Sequence, residues 1–598
     1  MLRAVDDEQR ARERASRLEA RNARRRAEGR STYTWPGDAD ETVIIPPGQG
    51  QPRNEPSASD TAKLQSGEPE PQAGEGPPSE GAPRRRLALS TAIFSFATAI
   101  SRVLGLFREV VAKNYFGVNG PVNAFNIAFL VPNTIRALVA DAALSSAFVP
   151  VFSDLIEKGE RKRAWRVASS LFWLTLLGLG GITALFILLA PWIMPPLYPD
   201  YHPLLVGLSQ VLFPIVALLG VSGIVVGILN TYDEFSIPAL TPVAWNLVII
   251  AGLVFGIPHV HGTDHRLYVY AGAILAGTIV QVLLPIPWLR GKDGRLQMVI
   301  DWRDPAVKQV FKLMLPVTLG LGLININALI DGVIGGWLVS KNAPSTIDAA
   351  FRIYMLPQGV FSVAVATVLF PSLARFASRR DMRGFRDTTA LGLRQIAFLL
   401  VPASIVTAVL AEPLTRLIYQ RGAFTPDQTP IVAACLAALT LGLTFNGTML
   451  MLNRAFFSLQ ENWIPTWVAL GNLFFNVVLD LAFSPLGIWG IPLATSVVNI
   501  AGTAALLIFF RRRLGRIQFA EIRTSFARVL VAAGVSGAVA FAVWRPLDAV
   551  AGRSLGGQLV SLLPALTAAV AAYLLAARAL RVREMQALLS LRGRLRRG

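Results

Sequence analysis

The sequence predicts an all-α polytopic membrane protein. It should have fourteen transmembrane helices: two six-helix bundles related by a pseudo-two-fold axis, then two additional C-terminal helices, all preceded by a disordered N-terminal tail. Three observations carry that prediction. The 598 residues are 53% hydrophobic and only 16% charged, against roughly 25% charged in an average soluble chain. Apolar runs near the ~20 residues a helix needs to cross ~30 Å of hydrocarbon recur from residue 88 to residue 579. The basic residues concentrate in every second gap between those runs, as the positive-inside rule requires.

Residues 1–86 hold fifteen Lys/Arg and fifteen Asp/Glu, so they are neutral, and they run through "GEPEPQAGEGPPSEGAP". Such a segment buries too little apolar surface to offset its ordering entropy and is expected to be a disordered cytoplasmic tail. Its opening residues lack the apolar stretch and small-residue cleavage site of a signal peptide. Arg84, Arg85 and Arg86 directly precede the first run and should hold the tail inside. The whole net charge of +19 therefore lies beyond residue 86. That disfavours a basic nucleic-acid-binding arm and fits basic loops facing an anionic leaflet.

The runs lie at 88–114, 122–153, 166–193, 204–230, 238–256, 268–289, 310–339, 346–374, 390–411, 429–458, 464–484, 488–510, 527–544 and 557–579. They divide into a first bundle within 87–300, a second within 301–512, an additional pair within 513–580 and a basic tail, 581–598. With an inward start, the even-numbered loops hold 23 Lys/Arg, six or fewer in each. The odd-numbered loops hold seven: Lys113, Arg266, Lys341, Arg416, Arg421, Arg545 and Arg553. Both termini are then cytoplasmic. A faint repeat supports the two bundles: "AFVPVFSDLIEKGERKRAWR" resembles "VLFPSLARFASRRDMRGFR", with Pro150 and Pro371 in register, and Pro238 pairs with Pro465 at a similar offset. Six helices per copy makes the repeats parallel about the membrane normal.

Charges inside the runs carry the functional signal, because each costs at least ~2.5–3.5 kcal/mol at a bilayer centre. "SRVLGLFREVV" places Arg102, Arg108 and Glu109 in the first run. "LVPNTIRALVADAALSS" places Asn133, Arg136 and Asp141 in the second, and "FRIYMLPQGV" places Arg352 in the eighth. Four guanidinium groups with only Glu109 and Asp141 to neutralise them call for water or an anionic ligand. Arginine binds phosphate bidentately and stays charged, so a phosphate-like ligand in a cationic cavity is expected. A second set, Asp331, Asn476, Asp480 and Thr495 with Ser496, offers hard oxygen donors for Na⁺ or a proton relay, or else acids satisfied between helices.

Other motifs carry little. "HVHGTDH" (His259, His261, His265) lacks the Cys or Glu a metal site would add, and the single Cys435 lies in an apolar run. No phosphate-cradling glycine loop or soluble catalytic domain is present, and no acidic pair of a membrane-embedded transferase. The reading is a transporter and not an enzyme, without a cofactor; a non-transporting scaffold remains the bland alternative.

"SRVLGLFREVVAKNYFG", "AFNIAFLVPNTIRALVADAALSSAFVPVF" and "FRIYMLPQGVFSVAVATVLFPSLA" resemble the signature segments of the MurJ/MviN lipid II flippases, in the multidrug/oligosaccharidyl-lipid/polysaccharide exporter superfamily. The resemblance spans essentially 87–598. It implies a flippase of the bacterial cytoplasmic membrane that carries undecaprenyl-diphosphate-linked peptidoglycan precursor outward by alternating access. Arg102, Arg108, Arg136 and Arg352 would bind the diphosphate, with Asn133, Glu109 and Asp141 beside them. Asp331, Asn476, Asp480 and Thr495 fall where some members hold Na⁺. Na⁺, H⁺ or the membrane potential would drive the cycle, and the cell-wall synthesis machinery is a candidate partner. The sequence departs from the family at Asn123, where an acid is common, at Ala142, a frequent glycine, and at Met355, where some members have Glu. The charges alone leave two alternatives open: a flippase for another polyprenyl-linked polysaccharide, and a drug/cation antiporter of the same superfamily, which four arginines disfavour.

Overall fold

The computed structural model describes residues 81–139, 143–197, 199–515 and 519–585. Of the expected tail over 1–86, residues 1–80 lie outside the described residues, as do Asp141, Ala142 and the basic residues from 586 onward, whereas 81–86 are not an irregular tail but the first turns of the opening helix. The described residues form helices and turns, with no strand among them.

In chain order the helices are α1 (Gly81–Phe116), α2 (Val122–Val139), α3 (Ala143–Glu157), α4 (Arg161–Ile193), α5 (His202–Leu212), α6 (Ile215–Thr231), α7 (Ser236–Ala251), α8 (Thr263–Leu283), α9 (Pro305–Ile334), α10 (Ala343–Pro357), α11 (Val363–Ser378), α12 (Met382–Val409), α13 (Ala411–Tyr419), α14 (Gln428–Leu441), α15 (Leu443–Ser458), α16 (Trp463–Phe483), α17 (Gly490–Leu514), α18 (Phe519–Ala551) and α19 (Leu555–Ala579). Among the described residues, nine helical segments are long and apolar enough to cross a bilayer, and α14 with α15 would make a tenth if their 43° bend lies within one span. Helices also occupy described residues of the other expected runs.

Local chemistry sets the breaks. Gly117, at φ +60°, ends α1, because a side chain rarely adopts that backbone. Pro214 lacks an N–H and separates α5 from α6. The bend between α14 and α15 is held by Ser496, whose Oγ accepts from Gly442 N at 3.0 Å and donates to Ala438 O at 2.6 Å. Ser496 is therefore a hinge brace rather than a member of the acidic set. Helix α9 begins with Pro305 behind Asp304, whose carboxylate accepts from Ala306 N at 2.7 Å.

Helix α1 packs on α7 and α7 on α8, α10 packs on α14, and α12 packs on α15. Helix α9 packs on α2 and α3 as well as on α16, so it touches both halves of the chain. Helices α18 and α19 pair with each other, and α18 lies against α12. Separate apolar clusters fill the halves, around Phe125, Phe148 and Phe152 in the first and around Leu393, Leu436, Phe456 and Phe510 in the second. The outer surface is apolar too: Phe474 is 74% exposed, Phe255 72% and Trp192 70%. Water would not tolerate so many bare large side chains, whereas acyl chains would.

Candidate functional site

Helix α1 carries Arg108, Glu109 and Lys113, and α10 carries Asp348 and Arg352. Glu109 and Lys113 are four residues apart, as are Asp348 and Arg352, so each pair shares a helix face. The structure brings these five together. Arg108 Nη2 meets Glu109 Oε1 at 2.5 Å, with both residues buried. Arg352 Nη2 lies 3.0 Å from Asp348 Oδ1, and Arg352 Nε lies 3.8 Å from Glu109 Oε1. Lys113 is buried, and its Nζ donates to Ser345 Oγ at 3.4 Å and to Ser345 O at 3.5 Å. The Arg108 guanidinium stacks over the Trp245 ring at 4.7 Å, while its Nε is buried without a hydrogen-bond partner.

Three cations face two carboxylates, which leaves one positive charge in excess. Sequence reasoning missed Asp348 and placed Lys113 in an outward loop. Both sit at i,i+4 from residues already singled out, so that spacing was the available signal. Arg416 was likewise counted in an outward loop, but it is buried in α13 and pairs with Asp548 at 2.6 Å. The expectation that only Glu109 and Asp141 neutralise the arginines is corrected by Asp348: most of the charge in the cluster is compensated.

The remaining expected residues are more dispersed. Arg102 is exposed, six residues or about 9 Å before Arg108 along α1. Its guanidinium lies against Gly359, where a Cβ would collide with Nη1, and it forms no ion pair with a described residue. Gly359 lies in the π-helical turn Gln358–Ser362 that follows Pro357. Asn133 is half-buried on α2 and has a partner of its own. Arg136 lies on α2, with its side chain outside the description, as is all of Asp141.

Asn123 is not a cavity residue. It is fully buried, donates from Nδ2 to Val118 O at 2.9 Å and to Gly120 O at 3.0 Å, and accepts from Ser345 N at 2.8 Å. Only an amide serves both roles. Neighbouring contacts join the same segments: Asn126 Nδ2 donates to Ser345 Oγ at 2.7 Å, Val118 N to Gln428 Oε1 at 3.0 Å, and Ala423 N to Asn114 O at 2.8 Å. The turn after α1 is thereby stapled to the second half of the chain. Met355 is 41% exposed on α10.

The second set also converges. Asn476 Nδ2 donates to Asp331 Oδ1 at 2.5 Å and to Asp480 Oδ2 at 2.9 Å, and Thr495 Oγ1 donates to Asp331 Oδ2 at 3.2 Å. Asn476 and Asp480 are fully buried, and Asn476 Oδ1 and Asp480 Oδ1 have no hydrogen-bond partner. Two carboxylates thus share one amide with oxygens left over, a donor set that fits a proton or a small hard cation. Among the described residues no group of three or more His, Cys, Asp or Glu is positioned to hold a metal ion.

Several solved structures that share this fold are described as transporters of the MOP superfamily. An inward-facing multidrug resistance MATE family transporter aligns over 71% of this chain and 94% of its own, at TM-score 0.59 and 18% identity, which defines the fold alone. A structure of lipid II flippase MurJ in an inward closed conformation aligns over 81% of this chain and 98% of its own, at TM-score 0.68 and 25% identity. The family description for lipid II flippase MurJ matches residues 112–547, and the chain belongs to that family. It is 29% identical over 439 residues to lipid II flippase MurJ of Burkholderia cenocepacia, covering 70% of this chain and 82% of the relative. It is 30% identical over 495 residues to the probable lipid II flippase MurJ of Rhizobium meliloti, covering 80% and 91%. The family is one of transporters, not enzymes.

Proposed function

We propose that this chain moves lipid II, the undecaprenyl-diphosphate-linked peptidoglycan precursor, from the inner to the outer leaflet of the bacterial cytoplasmic membrane by alternating access. The fold in this reading has fourteen spans: bundles within 87–300 and 301–512 and an additional pair within 513–580, with both termini inward. The observation that carries it is the cluster of Arg108, Glu109, Lys113, Asp348 and Arg352, which joins α1 of the first half to α10 of the second.

In the unloaded protein Asp348 and Glu109 hold the cations in place. The diphosphate of lipid II competes for the same donors, and Arg102 adds an exposed cation on the approach; Arg136 is assigned the same role. A diphosphate carries more charge than either carboxylate and accepts the arginine forks bidentately. Gripping it draws α1 and α10 together and biases the two halves toward the alternative arrangement. The polyprenyl tail stays in lipid throughout. Opening outward requires the staples at Asn123, Ser345 and Gln428 to part. The Asp331–Asp480 pair takes Na⁺ or H⁺ to reset the cycle, or the membrane potential does so at ~2.3 kcal/mol per charge per 100 mV.

Depletion with complementation tests the reading. Loss of the chain should trap precursor on the inner leaflet, and Arg108→Ala and Arg352→Ala variants should fail to rescue. Normal outer-leaflet precursor after depletion would refute it.

A further inference from the structure

We propose that the molecule carries a head-group site for an anionic phospholipid, separate from the cluster between α1 and α10, where α4 begins and the segment 290–302 returns along it. The inference uses the orientation proposed above only to assign the site to the inner leaflet.

A cavity of about 840 Å³ opens there, lined by Lys162, Arg166, Arg290, Lys292 and Arg295. One carboxylate, Asp293, shares the lining, and it is engaged: Arg161 Nη1 lies 2.7 Å from its Oδ1, and Tyr232 Oη donates to its Oδ2 at 3.3 Å. Five cations therefore converge on one concave surface without a free acid among the lining residues. The floor is built rather than incidental. Gly294 lies against the buried Trp165 ring, leaving no room for a Cβ, and Gly291 turns the chain at φ +81°. Trp165 Nε1 donates to Tyr232 Oη at 3.3 Å, and Lys292 stacks over the Tyr232 ring at 5.3 Å.

The segment leaving the cavity distinguishes a lipid from a free anion. Gln297 N donates to Ser169 Oγ and Asp301 N to Ser170 Oγ, both at 3.0 Å, and Trp173 Nε1 donates to Gln297 O at 2.9 Å. These bonds pin its backbone about 12–18 Å along α4 from Arg161, at a rise of 1.5 Å per residue. The alternate residues Met298, Ile300 and Trp302 are left 83%, 51% and 59% exposed. Cations at head-group height with apolar and aromatic side chains alongside match a phosphodiester head with its acyl chains. A soluble phosphate would use only the cations.

The test is a native mass spectrometry titration of the full chain, delipidated in neutral detergent, with phosphatidylglycerol or phosphatidylcholine and no lipid II. The wild type should retain phosphatidylglycerol over phosphatidylcholine by about tenfold or more. R166Q/R290Q/R295Q should lose that preference, while R166K/R290K/R295K keeps most of it. R511Q/R512Q/R513Q, on the other half of the chain, should leave it intact, and so should R352A, which separates this site from the substrate cluster. M298S/I300S/W302S should weaken retention, and millimolar inorganic phosphate should not displace the lipid. Equal retention of the two lipids, a preference that survives the glutamine variant, or displacement by phosphate would each overturn the proposal.

Discussion

Asp348→Asn perturbs the cluster between α1 and α10 with the least change of shape. It removes one of two carboxylates facing Arg108, Lys113 and Arg352, so the excess charge rises from one to two. In the native protein Asp348 Oδ1 accepts from Arg352 Nη2 at 3.0 Å and Nε at 3.2 Å. Hydrogen bonds to charged groups contribute ~1.5–3 kcal/mol, and partial exposure of both side chains lowers that to ~1–2 kcal/mol. The unloaded protein should lose about that much stability, since Arg352 then faces only Glu109 at 3.8 Å. The diphosphate, no longer competing with this carboxylate, should bind more tightly by a similar amount, ~5–30-fold. Tighter binding appears mainly as slower release, so the variant should hold lipid II firmly and support growth poorly. Thermal unfolding, lipid II titration of the detergent-solubilised protein and complementation read the three effects. If the unfolding midpoint falls while lipid II affinity stays at or below the wild-type value, the diphosphate does not displace Asp348 and the competition argument fails.

Further substitutions probe other parts of the structure. Glu109→Ala leaves the buried Arg108 without its partner and should destabilise the protein by ~3–5 kcal/mol, seen as a lower unfolding midpoint; an unchanged midpoint would mean the arginine is not held by Glu109. Asn123→Asp would set a carboxylate against the carbonyls of Val118 and Gly120. It should cost ~1–3 kcal/mol per lost donor, again read by thermal unfolding. Asp480→Asn should abolish the dependence of transport in vesicles on a Na⁺ or proton gradient while sparing lipid II binding; a gradient dependence that persists would remove the acidic pair from the coupling step.

The membrane character of the chain was legible because it rests on composition and run length, which need no tertiary knowledge. The interruptions were harder to read. Pro214 marked its own break, but the bend after Leu441 depends on Ser496, some 54 residues downstream, donating and accepting across it. At the candidate site, Arg108, Glu109 and Arg352 stood out because charges in apolar runs are costly. Lys113 did not, since a lysine near the end of a run reads as a loop residue until the fold shows it buried over Ser345. Asp348 lies at the start of its run and was hidden for the same reason. The role of Asn123 was not legible either, because its two donated bonds and one accepted bond depend on backbone atoms that only the turn and α10 bring into reach.

The central claim is that Arg108 and Arg352 grip the diphosphate during passage between leaflets. The most direct measurement is translocation of labelled lipid II in vesicles reconstituted with the purified full chain, comparing wild type with Arg352→Ala and Arg108→Ala. Each variant forfeits charge-assisted bonds of ~1.5–3 kcal/mol to the phosphates, so translocation should fall ~10–100-fold while the protein stays folded. Wild-type translocation rates in both folded variants would contradict the claim.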